Sequence, residues 1–395
     1  MAQLNSLPTI DMISGAALAH LEDSLVIKPL CTTDVTAEFN QKPNGYKVGS
    51  AIQFNTNPVY EVSTFDERAS DNTWVRNDAK VIVPQDVRAS QRTMYIEKHF
   101  DISITLSSRE LAMDFDRMSE MVIKPASKAL AAKIDTYIGA SILNARGLYA
   151  STTVMGTQAD MALARKAAII QQLNDNKYCL VDPTLDSTLL GKDWFNTAYY
   201  RASDEGLTNG MLTRTMGLDF YSSVNFPNTT HANAVAGAAT TKTSPTGTEN
   251  KVGTSVLHVA ATSTAMNAGD RILVAGLKRP MIVASAVTAT DTEIALVDPI
   301  DEIIPATAAV TVVGGDNKTL TPRGAIFDSQ SLGVAMPMLD PASGEENAVV
   351  SENGISIRLV KGYNMSTKVT TLSMDCLVGA AAIDPRRITL LADAA

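Results

Sequence analysis

Four groups of residues in this chain are of types that do chemistry, and spacing decides what each can do. Gly314-Gly315-Asp316-Asn317-Lys318-Thr319 sets a lysine and a threonine behind two glycines, the residues that cradle a phosphate. It lacks the spacing that wraps a phosphate and the helix that should follow, so a hairpin turn is the better reading. His20, His99, His231 and His258 are too scattered for a paired-histidine metal site. His99 falls on the polar side of an alternating run, which makes it a surface or interface residue. Asp298, Asp301 and Glu302 cluster beside Pro299 and could take a cation. Without the oxygen-ligand spacing of a calcium loop, a solvated loop is the expected reading. Cys31, Cys179 and Cys376 lie far apart, form no CxxC pair and are odd in number. They fit no complete disulfide framework and point to a reducing compartment. No nucleophile elbow of the GxSxG kind occurs. The expectation is no catalytic residue, no cofactor and no metal.

Composition narrows the class further. A chain of 395 residues is long enough for two or three cores, and 45% apolar content is ample to fill them. The net charge of −9 argues against a dedicated nucleic-acid binder, which works by neutralising phosphates. The first residues lack the basic and apolar regions of a signal peptide, and no window reaches about 18 uninterrupted apolar residues, so no membrane span is expected.

The elements that would position these residues follow from periodicity. Ile13, Ala17, Leu21 and Leu25 recur at four-residue steps and predict a helix over Ile10–Ile27 that stops before Pro29. From Leu30 to Gly49 the pattern is lost, and an N-terminal helix followed by this loose connector reads as an arm better suited to a partner than to its own core. Ala51–Phe54 predicts a strand, and Asn57–Asp78 is polar and mixed in charge. Ile96, Phe100, Ile102, Ile104 and Leu106 alternate with polar residues, broken only at Lys98, so Val48–Leu106 reads as a long hairpin or extended loop. Ser107-Ser108-Arg109-Glu110 is a capping-box signature. After an interruption at Pro125, a long helix is predicted over Ser127–Arg146, with Leu130, Ile134, Ile138 and Ile142 on its apolar face and Gly147 as its stop. Lys124, Lys128, Lys133 and Arg146 against Asp135 leave that helix positive, a solvated or salt-bridged face by the ordinary reading. Asp160–Leu173 predicts a helix and Lys177–Val181 a short strand. Near the C-terminus, Gly354–Lys361 and Lys368–Gly379 alternate as long strands that must pair with something earlier.

Between these flanks lies a segment of another composition. From Asn228 to Ala325 there is no Phe, Tyr or Trp, although the chain holds 9 Phe, 10 Tyr and 2 Trp. Its strand candidates are Ser255–Val259, Arg271–Ala275, Met281–Ala284, Glu293–Val297 and Val310–Val313, separated by turn signals such as Ala268-Gly269-Asp270. That spacing predicts a small β-barrel inserted into a larger α+β body. An arm, a long blade, a long helix and an insert are surplus shape for a lone enzyme. Long unpaired strands are an aggregation hazard unless a partner covers them.

This order of elements resembles the major capsid proteins of tailed bacteriophages with the Hong Kong 97 fold. The insert narrows the resemblance to the type of phage P-twenty-two, whose coat proteins carry an insertion domain. The run Met266-Asn267-Ala268-Gly269-Asp270-Arg271-Ile272-Leu273-Val274-Ala275-Gly276-Leu277-Lys278 looks like that family's Gly-Asp turn leading into a strand, and Lys177–Pro227 is similar to its axial segment. The resemblance implies an N-terminal arm over 1–49, an extended loop and peripheral strands over 50–106, and a spine helix over 107–153. It further implies an axial domain opening over 154–227, the inserted barrel over 228–322, and a return through the axial domain to peripheral strands over 323–395. It implies a shell of hexamers and pentamers, a separate scaffolding protein, a portal protein, weak non-specific contact with packaged double-stranded DNA, and no membrane. By the same resemblance Lys242, Glu249 and Lys251 would contact a neighbouring capsomer. Asp66, Glu67, Arg68, Asp71, Arg76 and Lys80 would set the register of the extended loop, and Asp11, Glu22 and Asp23 would meet the scaffold. Two other readings share the missing motifs: another phage structural protein, such as a tail-tube or decoration protein, and an enzyme with an accessory barrel.

Overall fold

In the computed structural model the N-terminal apolar stripe forms a helix over Ile10–Ser24, and the stripe is buried. The structure describes residues 10–33, 51–55, 66–68, 74–76, 91–107, 119–152, 154–171, 173, 176–196, 214–233, 239–240, 250, 252–260, 265–288, 290–302, 304–305, 307–315, 317–342, 346–366 and 369–395. Ile13, Ala17, Leu18 and Leu21 enter one cluster with Leu130, Ile134 and Ile138 of the long helix. Fully burying a leucine or isoleucine stabilises by about 1.5–3 kcal/mol, so this helix is fixed to its own chain. The arm reading is corrected here: the stripe meets a second stripe in the same body, which offers it water exclusion without a partner. Behind the helix, Asp135 closes the connection. Its carboxylate accepts from the backbone N–H of Val26 at 2.8 Å, Ile27 at 3.2 Å and Lys28 at 3.3 Å.

The long helix runs Lys124–Ala140, after a π turn over Ser119–Ile123 and before a 3₁₀ turn over Ser141–Asn144. Pro125 starts it and does not interrupt it, because a first-turn proline lacks only an N–H that has no partner there. At about 1.5 Å per residue it spans about 25 Å. Gly147 is no helix stop; it opens the strand Gly147–Ser151, parallel to Thr389–Ala394. A Cβ at Gly147 would meet Thr389 Oγ1 at 2.7 Å, so close strand approach is what excludes a side chain. The capping box at Ser107–Glu110 lies largely outside the described residues.

Beneath these helices lies a six-stranded sheet in the order Ala51–Asn55, Gln91–Ser107, Val369–Ala382, Ile355–Asn364, Glu346–Glu352, with Leu332–Ala335 also on Val369–Ala382. The C-terminal strands thus pair with the long early strand, as their alternation requires. Lys98, the break in that alternation, sits at a β-bulge: Val378 faces Lys98 but Gly379 faces Ile96, leaving Glu97 extra. A Cβ on Gly379 would come 3.0 Å from the Tyr95 carbonyl oxygen. Gly379→Val is expected to cost about 1–3 kcal/mol by overpacking against backbone. Equilibrium urea unfolding reads this, and an unshifted midpoint would mean that the bulge adapts freely.

A second six-stranded sheet runs Gly147–Ser151, Thr389–Ala394, Thr319–Phe327, Tyr178–Val181, Asp219–Ser222, with His231–Ala232 on Thr319–Phe327. The helix Gln158–Ile170 covers it, started by a capping box in which Thr157 and Asp160 exchange hydrogen bonds. Asp182 caps the helix Pro183–Leu190 by accepting from Leu185 N at 2.7 Å. None of the described helices is long and apolar enough to cross a membrane.

The insert has a core of its own. Leu257, Val259, Met266, Ile272, Val274, Met281, Val283, Ile294, Leu296 and Val310 are buried together, with no aromatic among them. All five predicted strands form, at Val256–His258, Arg271–Val274, Met281–Ile282, Glu293–Ala295 and Ala309–Val312, joined by Ala239–Thr240. They make a two-stranded and a four-stranded sheet linked by a bridge between Val283 and Leu296. Among the described residues the ladder does not close, which corrects the barrel. Strands of two to four residues are too short for the tilt and stagger that closure demands.

Candidate assembly surfaces and the insert junction

The blade is drawn from the first sheet. Ala51–Asn55 pairs antiparallel with the start of Gln91–Ser107, Ala51 facing Tyr95 and Asn55 facing Gln91. Beyond these legs, Asp66–Arg68 pairs with Trp74–Arg76 in a register that sets Asp66 opposite Arg76 and Arg68 opposite Trp74. This brings together four of the six loop candidates, Asp66, Glu67, Arg68 and Arg76. Asp71 and Lys80 lie outside the described residues, as do Lys242, Glu249 and Lys251. Of the scaffold candidates, Asp11 and Asp23 are exposed on the N-terminal helix. Glu22 is half-buried and accepts from Asn353 Nδ2 at 2.7 Å, so its carboxylate is engaged within the chain.

On the face of the first sheet away from the helices, charges gather around Asp375. It stands directly opposite Asp101 across the ladder, a like-charge pair that needs compensation. Arg358 Nε donates to Asp375 Oδ1 at 3.1 Å and Arg358 Nη2 to Oδ2 at 2.5 Å, while His99 Nε2 lies 2.9 Å from Oδ2. Ser103 and Ser373 donate to Asp101. His99 is therefore a surface residue with a structural partner. Among the described residues no group of three or more His, Cys, Asp or Glu could hold a metal ion. All three cysteines are buried, and burial, with the charge of Asp375 beside it, pushes the Cys376 thiol up to about 12.

The acidic cluster of the insert is neither a cation site nor a solvated loop. Asp301 accepts from Arg146 Nη1 at 2.8 Å and Nη2 at 2.7 Å, and Arg279 Nη1 lies 3.6 Å away. Burial would raise the Asp301 carboxyl, but the charge and hydrogen bonds of Arg146, with Arg279, hold it below the usual carboxylate range. Asp298 pairs with Arg92 of the long strand, and Glu302 accepts from the Lys278 backbone N–H at 3.4 Å. The physical reason is desolvation: three arginines in the junction would each be costly without a carboxylate.

Arg146 and Arg271 make a reciprocal exchange. Arg146, 1% exposed and just past the 3₁₀ turn that follows the long helix, reaches into the insert, where its Nε also donates to the Pro280 carbonyl. Arg271, from the insert, reaches back to that helix end, donating to Ala145 O at 2.8 Å and Leu143 O at 3.0 Å. Carbonyls at a helix end have no partners within the helix, and a guanidinium suits them in both geometry and charge. Burial, opposed by the charge of Asp270, lowers the Arg271 pKa to about 10.

The Gly-Asp turn supports this exchange. Asp270, fully buried, accepts from Asn267 N at 2.8 Å and lies 2.7 Å from His231 Nε2. Gly269 has φ of +92°, and a Cβ there would meet the His231 ring at 3.1 Å. Sequence reasoning missed the role of Arg146, although its position was visible. It continues the steps of four through Leu130, Ile134, Ile138 and Ile142, an arginine on an apolar stripe.

No protein-family model and no curated protein matches the chain. Among solved structures it is similar to one of Mycobacterium phage Che8, with a TM-score of 0.47 and 9% identity, covering 93% of this chain and 90% of that one. It is similar to the capsid structure of the cyanophage P-SCSP1u, with a TM-score of 0.45 and 12% identity over 88% and 85% of the two chains. It is also similar to the mature capsid of bacteriophage PhiM1, with a TM-score of 0.43 and 10% identity over 87% and 82%. The mixed helix-and-sheet fold is thus similar to those of phage capsid structures.

Proposed function

We propose that this chain is a major capsid protein of the Hong Kong 97 type, many copies of which build an icosahedral shell around double-stranded DNA. The observation that carries the reading is the blade. Ala51–Asn55 and Gln91–Ser107 belong to a six-stranded sheet, and between them in sequence Asp66–Arg68 pairs with Trp74–Arg76 and with no other strand among the described residues. An isolated two-stranded hairpin is marginal in water, so a neighbouring subunit is the natural cover. The long helix laid along the sheet and the return of the C-terminal strands to the early one support the same reading. Shell contacts of about 1,000–2,000 Å² each are individually modest, which lets misplaced subunits leave before closure.

In this reading a separate scaffolding protein directs assembly in the bacterial cytoplasm, the mature protein resides in the virion, and a portal protein occupies one vertex. Exposed Asp11 and Asp23 are the remaining scaffold candidates. The net charge of −9 suits weak DNA contact, since a strongly basic wall would hold DNA in place. Glu249 and Lys251, with Lys242, are proposed to bridge capsomers. The inserted domain read from the sequence over 228–322 is proposed to span 234–312, since His231–Ala232 and Thr319–Phe327 belong to the second sheet.

The blade gives the test. Reversing Asp66 and Glu67 to lysine is expected to lower the assembled fraction in sedimentation velocity while leaving the melting temperature of the unassembled chain unchanged. Equal assembly by parent and variant would remove the hairpin from the interface.

A further inference from the structure

The apolar clusters of the body and the insert do not mix. Among the described residues, the insert's cluster is confined to 257–312, and no residue from 234 to 312 enters a body cluster. The division falls within one strand end: Val312 is buried in the insert's core and the next residue, Val313, packs against the body's. Polar bonds join the two. They include the exchanged arginines Arg146 and Arg271, the pairing of Arg92 with Asp298 beside a cleft of about 370 Å³, and, next to the neck, His231 with Asp270 and Asn267 with the Ala232 carbonyl.

The neck has the build of a pivot. Asn233 Nδ2 donates to Val313 O at 3.1 Å and Gly315 O at 2.9 Å, bracing the turn at Gly314 and Gly315, whose φ values are +96° and +91°. The chain therefore enters and leaves the insert at one braced point. The Arg271 backbone lies beside it, its carbonyl accepting from Val313 N at 2.7 Å, while its side chain and Asp301 reach to the residues that follow the long helix.

We propose that the insert is a hinged rigid unit, latched to the body by the exchange of Arg146 and Arg271, with a docked and a swung state of the single chain. A bidentate arginine–carboxylate pair is made or broken as a whole, unlike an apolar face that slides by degrees. Swinging exposes little apolar surface, because none of either cluster spans the seam. Both arginines and Asp301 gain water when the latch opens, which offsets part of the lost pairing. The inference is independent of shell formation, because every group in it belongs to one chain.

Spin labels at Lys133→Cys and Glu293→Cys, both exposed positions, would straddle the seam, and the three native cysteines are buried. Pulsed electron–electron resonance of the full chain is expected to give one narrow distance, with any second state below about 10%. Arg271→Ala and Asp301→Asn should each make a second, longer distance dominant. The methyl resonances of Met266 and Met281, inside the insert core, should stay in place. One unchanged distance in both variants overturns the hinge. So does loss of the methyl resonances together with the distance, because the seam would then be part of the fold and no latch. Should Arg271→Ala fail to fold, Asp301→Asn alone decides between these outcomes.

Discussion

Asp301→Ala is expected to destabilise the protein by about 3–5 kcal/mol, the range for removing one partner of a buried ion pair. Arg146 is 1% exposed and spends two of its nitrogens on this carboxylate. Without Asp301 its charge in the docked state is left buried with only backbone carbonyl support, and opening of the latch to water limits the loss to the lower end of that range. Asp301→Asn keeps an acceptor and should lose less. Arg146→Met combined with Asp301→Leu should lose less than either truncation alone, because no uncompensated charge remains. The pH dependence follows from the sign. The folded carboxyl sits below its unfolded value of about 3.9, so its stabilisation is present above that value and disappears as pH falls through the lower, folded one. The junction should therefore hold through about pH 4 and fail only below it. Equilibrium denaturation of these variants beside the parent checks this, and a parent-like Asp301→Ala would contradict it.

Asp135→Ala is the second large effect, also expected near 3–5 kcal/mol. The carboxylate is fully buried and is the acceptor for three consecutive backbone N–H groups, those of Val26, Ile27 and Lys28. Each unsatisfied buried donor costs about 1–3 kcal/mol. Here the sign is opposite. Burial raises the Asp135 carboxyl, and the three N–H groups only partly pull it back. Its protonation favours the fold, a contribution that is full below the unfolded value and is lost as pH rises through the folded one. At neutral pH the charge is held at a cost, so Asp135→Asn should be much milder than the alanine. A urea midpoint for Asp135→Asn as low as that for Asp135→Ala would show that charge matters here more than donor satisfaction.

These two carboxylates also show what was readable in the sequence and what was not. Periodicity located the N-terminal helix, the long helix, the long strands and the five strands of the insert, because burial of one face repeats at fixed steps. It could not say against what each face is buried. The stripe of Ile13, Ala17 and Leu21 looks the same whether it meets its own body or a partner, and it meets its own body. Asp135 and Asp301 were each read as surface charge, since sequence separates an exposed carboxylate from a buried one only through its partners. Those partners lie about a hundred residues away or more, Val26 for one and Arg146 for the other. Lys98 was a visible irregularity whose cause, the bulge against Gly379, needed the opposing strand. The barrel was overdrawn because turn spacing counts strands but does not close a ladder.

Of the assembly candidates, sequence chose charged residues, and the fold places Asp66, Glu67, Arg68 and Arg76 on one hairpin. Of the others, Asp11 and Asp23 are exposed on the N-terminal helix, Glu22 is engaged within the chain, and the rest lie outside the described residues. The blade, more than any single residue, therefore carries the proposal that copies of this chain complete one another.

Electron microscopy of the purified full-length chain, alone and with a scaffolding partner, tests that proposal most directly. The account predicts rings of five or six subunits and closed shells of uniform diameter, with more complete shells when the partner is present. A monodisperse monomer under all these conditions, folded and soluble but never forming rings or shells, would contradict it.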